Sequence, residues 1–158
     1  MIKNQKSETI IDGVQEDVKA EKSIQINSEF SNSGIGAFIS SSLFYWNYIA
    51  YTDCRNLTKT FIDSFNCPSE LASSNVLSNT GVSLFADYEA NKYRKDTFYA
   101  STGRNVIYDE YYPKKSKNFL DKVDSIVSKY FKFSETELDF IINFDIKYRM
   151  GDELNSEE

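Results

Sequence analysis

The sequence of 158 residues, 41% hydrophobic and 27% charged, has the size of one soluble domain with a modest core. A net charge of −6 and the absence of any histidine exclude a strongly basic nucleic-acid binder and every triad, metal cluster or acid–base scheme built on imidazole. Two cysteines, Cys54 and Cys67, are too few for a disulfide framework or a zinc site, and the most apolar run is too short to span a bilayer. A cytoplasmic protein with reduced thiols and no membrane partner is expected.

The charge is unevenly placed. Residues 1–33 hold four Lys against six acids, and residues 151–158 hold four acids and no base, which leaves 34–150 balanced at 14 against 14. Within that stretch Lys92, Arg94, Lys95, Arg104, Lys114, Lys115 and Lys117 outnumber the acids around them, so a local basic face is compatible with the acidic total.

Residues 1–33 are rich in Ser, Asn, Lys and Glu, with Ile10 and Ile11 and the alternating Ile24 and Ile26 as small apolar groups. They read as a flexible tail, a stray strand or an irregular segment. From residue 35 to 51, Phe38, Ile39, Leu43, Trp46, Ile49 and Ala50 recur mostly at three- and four-residue steps, which predicts one aromatic-rich helix. A short helix is expected near residues 58–64, stopped at Pro68, and a longer one over 69–95, with Ser78, Asn79, Thr80 and Gly81 as a potential break.

Residues 97–99 and 106–112 are β-prone and flank Thr102, Gly103, Arg104 and Asn105, the pattern of a hairpin with glycine in its loop. After Pro113, a helix is marked by Leu120, Val123, Val127 and Tyr130 on one face, with Lys and Asp on the other. Ser134 and Glu137 have capping-box spacing and open a last helix, whose stripe is Leu138, Ile141, Ile142 and Tyr148 and whose end is Gly151. The fold class is therefore α+β, mainly α: an aromatic-rich helix, a small β-hairpin and a C-terminal antiparallel helix pair. The domain spans residues 34–150 and is followed by an acidic tail at 151–158.

Catalytic chemistry has little to stand on. Gly34 and Gly36 precede a helix but lack the third glycine and the Lys-Ser of a phosphate loop, and Asp109 with Glu110, or Asp139 with Asp145, read as strand-end and helix-surface charges. No catalytic residue and no metal ligand is assigned.

Two stretches resemble a known family. The first is Ser42, Leu43, Phe44, Tyr45, Trp46, Asn47, Tyr48 and Ile49, then Asp53, Cys54, Arg55, Asn56, Leu57 and Thr58, then Phe65, Asn66, Cys67 and Pro68. The second is Lys117, Asn118, Phe119, Leu120, Asp121, Lys122, Val123 and Asp124, then Tyr130, then the continuous run from Glu137 through Asp145, Lys147 and Arg149 to Gly151. Together they are similar to the C-terminal target-recognition region of adenine-specific DNA methyltransferases of the TaqI-like and type IIG kind, from restriction-modification systems, over about residues 34–151.

The resemblance implies a recognition or scaffold fragment that reads duplex DNA beside a catalytic subunit encoded upstream. That subunit would bind S-adenosylmethionine and extrude the target adenine. The family's catalytic motif needs two adjacent prolines, whereas the prolines here are Pro68 and Pro113, so this chain is expected to be catalytically incomplete alone, with no cofactor of its own. The candidate DNA contacts are Arg55, Asn56 and Lys59 after the aromatic helix, and Lys92, Arg94, Lys95 and Arg104 around the hairpin. Lys147 and Arg149 are expected to tie the last helix to its neighbours. The alternatives are a protein-interaction module that docks through the aromatic helix, or the product of a decayed gene.

Overall fold

The computed structural model describes residues 8–16 and 23–146. Along the chain run β1 (Thr9–Ile11), β2 (Val14–Glu16), α1 (Asn32–Ser40), α2 (Ser42–Tyr51), α3 (Lys59–Ser64), α4 (Ser69–Ala72) and α5 (Asn75–Ala90). They are followed by β3 (Tyr93–Tyr99), β4 (Arg104–Glu110), a 3-10 turn (Pro113–Ser116), α6 (Lys117–Phe131) and α7 (Glu135–Asn143). The fold is α+β and mainly α, as expected from the sequence.

The core is made by the inward stripes of three helices. Leu77, Leu84, Phe85 and Tyr88 of α5 and Leu120, Val123 and Val127 of α6 recur at helical spacing and close on Ala37 and Phe38 of α1, with Leu71 of α4 beneath. A ring cluster extends this core: Phe65 stacks on Phe38 at 5.2 Å and meets Phe44 edge-on at 4.8 Å, while Phe61 meets Phe44 at 5.6 Å and Tyr48 at 5.7 Å. Much of the aromatic content therefore fills space.

The aromatic-rich segment is two helices, not one. Ser41, in extended geometry, ends α1 and caps α2 by accepting from the Phe44 amide, and the buried Asp124 of α6 accepts from both the amide and the hydroxyl of Ser42. An acceptor at that point satisfies the Ser42 amide at the helix start, so the break is held from the far side of the core. Asp124 thus sits on the buried face of α6, whereas Tyr130, expected on that face, is 38% exposed.

The expected helix over 69–95 is likewise divided, but at Ser73 and Ser74, where the Ser74 hydroxyl caps α5. Gly81 does not break α5. A Cβ there would overlap the Ser33 carbonyl, so glycine is what lets α1 lie this close to α5. Residues 93–95 leave the helix and begin β3.

At the C-terminal end the capping box is formed, with Ser134 accepting from the Glu137 amide and Glu137 accepting from the Ser134 amide. The last helix stops earlier than expected, at Asn143, where Phe144 turns out and Asp145 takes a left-handed φ of 55°. Among the described residues of its expected stripe only Ile141 is buried, Leu138 and Ile142 being half-exposed. Lys147, Tyr148, Arg149 and Gly151, and the acidic tail, lie outside the described residues.

The four strands form one antiparallel sheet in the order β2-β1-β4-β3. The segment read as a tail therefore contributes two strands. Asp12 and Gly13, both at positive φ, make a two-residue turn between Ile11 and Val14, and Ile10 pairs with Ile107 of β4.

Gly81→Ala tests the α1–α5 approach. In an open helix this change stabilises by about 1 kcal/mol. Here the clash with backbone should instead destabilise by about 3 kcal/mol, read as an earlier midpoint in urea unfolding.

Candidate nucleic-acid interface

The β3–β4 hairpin stands away from the helices. Among the described residues, no helix packs extensively on either face of the sheet, and no side chain of β3 is fully buried. Tyr93 and Phe98 are 58% and 65% exposed, a degree of aromatic exposure unusual in a structural strand.

The antiparallel register sorts its side chains. Tyr93, Lys95, Thr97 and Tyr99 lie opposite Glu110, Tyr108, Val106 and Arg104 on one face, while Arg94, Asp96 and Phe98 lie opposite Asp109, Ile107 and Asn105 on the other. Thus Lys95 and Arg104 share a face lined by tyrosines, and Arg94 is on the reverse.

Each expected contact has its own setting. Lys92 lies at the root, where its ammonium bridges Glu89 at 3.0 Å and Asp109 at 2.9 Å. The Asp109 side chain is only 2% exposed, and these hydrogen bonds push Lys92 well above the usual lysine range. Lys92 is therefore the tie between α5 and the hairpin and is not available to phosphate. Beside it the Tyr111 hydroxyl donates to Glu89 at 2.8 Å, and burial together with that carboxylate pushes the phenol up to about 12.

Lys95 donates to Glu110 at 3.0 Å, which raises the lysine. Glu110 also accepts from Tyr112 at 2.6 Å and Tyr108 at 3.1 Å, and is lowered first by Tyr112 and then by Lys95. Tyr108 and Tyr112 are therefore oriented by a shared carboxylate. Arg94 meets Glu8 at 3.8 Å, with both side chains largely in solvent. Arg104, at the loop end of β4, is exposed and makes no ion pair among the described residues. Gly103, at a φ of 66°, closes the turn before it.

Arg55 and Asn56 occupy the exposed loop between α2 and α3, where Asp53 accepts from the Arg55 amide at 3.1 Å and Cys54 takes a left-handed φ of 58°. Lys59 opens α3 and pairs with Asp63 at 2.7 Å, an exposed one-turn pair of small energetic weight. The seven candidates thus fall into two separate groups. Only Arg104 and Lys95 combine exposure with the aromatic face.

Sequence reasoning missed Glu110, Tyr108 and Tyr112 as a unit. The alternation of residues 108 and 110 along β4, continued at residue 112 just beyond its end, is the signal that places them together.

Among the described residues there is no group of acids and thiols suited to a metal, and no helix long and apolar enough to cross a membrane. Cys54 and Cys67 are free, and half-burial pushes the Cys67 thiol up to about 11. No family model, curated protein or solved structure matches the chain.

Two outcomes are expected. Lys92→Ala strands the buried Asp109 carboxylate and should cost about 2 kcal/mol in urea unfolding, against about 0.5 kcal/mol or less for the exposed Arg104→Ala. In a Cys54→Ser background, alkylation of Cys67 should be slow at about pH 8 and still climbing at about pH 10. The neutral thiol dominates below its raised pKa, and the reactive thiolate appears only as pH approaches it.

Proposed function

We propose that the chain is the C-terminal target-recognition and scaffold part of an adenine-specific DNA methyltransferase of a restriction-modification system, acting in the cytoplasm beside a catalytic subunit. The observation that carries this reading is the projecting β3–β4 hairpin, with Arg104 at its tip and Lys95 among exposed tyrosines on one face. A hairpin fits the major groove, where a tip arginine addresses guanine edges or phosphate and tyrosines contact the sugar–phosphate backbone. Exposed Arg55 and Asn56 of the α2–α3 loop, with Lys59 at the start of α3, supply a second backbone contact.

The division of labour follows from residue content. Methyl transfer and adenine extrusion require S-adenosylmethionine and a paired-proline motif, which belong to the partner in this reading, while this chain supplies position and sequence preference. The alternative, docking through the aromatic helix, is weakened by the burial of Phe38 and Phe44 in the core.

The test is co-expression with the protein encoded immediately upstream, followed by methyl incorporation into adenine of duplex DNA. Activity that appears only with both chains is the expected result. Equal activity from the upstream protein alone would refute the proposal. In the assembled pair, Arg104→Ala should weaken duplex binding by about tenfold and flatten the slope of log affinity against log salt by about one unit. Trp46→Ala should leave that slope unchanged, whereas an aromatic docking module would lose binding on Trp46→Ala and respond little to salt.

A further inference from the structure

The β1–β2 hairpin lies against β4 and carries Glu8, Asp12 and Glu16 with no base over residues 8–16. Two of these carboxylates occupy positions suited to phosphate. Glu8 meets the Arg94 guanidinium at 3.8 Å, and an Asp12 carboxylate oxygen accepts from the backbone N–H of Asn105 at 2.9 Å, next in sequence to Arg104. Guanidinium groups and strand-edge amides are the donors that proteins use for the phosphodiester backbone.

The attachment is slight and the hairpin is self-contained. β1 meets β4 over three residue pairs, extended by one bond from the Asp12 amide to the Asn105 carbonyl at 2.9 Å. The Glu8–Arg94 pair is long and solvent-exposed, a class of ion pair worth little and readily screened. Every β2 residue is exposed, and no side chain of either strand is fully buried. The Asp12–Gly13 turn joins β1 to β2 locally, and the seven residue pairs of β3–β4 do not depend on the β1–β4 pairing.

We propose that β1–β2 is an intramolecular stand-in for two backbone phosphates, which duplex DNA displaces as it docks on β3–β4. This rests on the DNA-recognition reading above. Displacement frees Arg94, the Asn105 amide and the edge of β4 together, and it exchanges carboxylates for phosphates without leaving a cation unpaired.

Two measurements test it, and the first needs no DNA. In the free chain, amide exchange at Asp12 and Asn105 should be faster than in the β3–β4 ladder by about a hundredfold, as expected of a locally opening unit. Equal protection would overturn the proposal whatever the chain does with DNA. The second is a lock, Ile10→Cys with Ile107→Cys in a Cys54→Ser background, joining two residues that are register partners. With the upstream subunit present, the oxidised lock should bind duplex DNA about tenfold more weakly than its reduced form, since the phosphate positions stay filled. Equal binding of both forms sinks displacement and leaves DNA recognition standing. If neither the locked nor the unlocked protein binds duplex DNA, the recognition reading fails and the proposal falls with it.

Discussion

The buried Asp124 carboxylate governs the arrangement of the helical body. It comes from the inward face of α6 and receives the amide and hydroxyl of Ser42 at the start of α2. A polar group in such a place is tolerable only because hydrogen-bond partners replace the water it has lost. The same contact fixes where the aromatic segment bends: α1 remains against α5, while α2 turns away to meet the rings of α3. With both partners in place, the bend at Ser41 is one well-defined corner.

The sheet is held by a different kind of interaction. Its root is the Lys92 ammonium between Glu89 and Asp109, with Tyr111 on the same Glu89, so polar links do there what side-chain packing does among the helices. A hairpin anchored at one end and open on both faces keeps its outer residues available. The Glu110 carboxylate compensates for the missing packing on one face by orienting Tyr108, Tyr112 and Lys95.

Features specified by near neighbours were legible in the sequence. Ser134 and Glu137, three residues apart, announce the start of α7, and the stripe of Leu120, Val123 and Val127 reports the buried face of α6 because helical spacing alone sets it. The glycine-containing loop of β3–β4 was visible for the same reason. The break at Ser41 was hidden, since Ser42 after it is held by a carboxylate 82 residues further along, and Gly81 looked like a helix breaker because the reason for it is the backbone of α1. Lys92 looked like a surface cation, yet its second partner lies across a strand connection. One local signal was misread: Asp12 and Gly13 between Ile11 and Val14 form a two-residue turn, but the polar residues around them suggested a tail. Of the candidate contacts, side-chain chemistry alone did not show which cations were already engaged, as Lys92 and Lys95 are.

The separation of the β3–β4 hairpin from the core also bears on how such a chain diverges. Stability resides in α1, α5 and α6 and at the root of the sheet, while positions such as Tyr93, Phe98, Tyr99 and Arg104 contribute little buried area. Replacing an outward side chain there leaves the folding equilibrium almost untouched, because no packed neighbour is disturbed. The hairpin surface is consequently free to drift under selection while the body that carries it stays fixed, so that two descendants of one ancestor can share a scaffold and differ in what they touch.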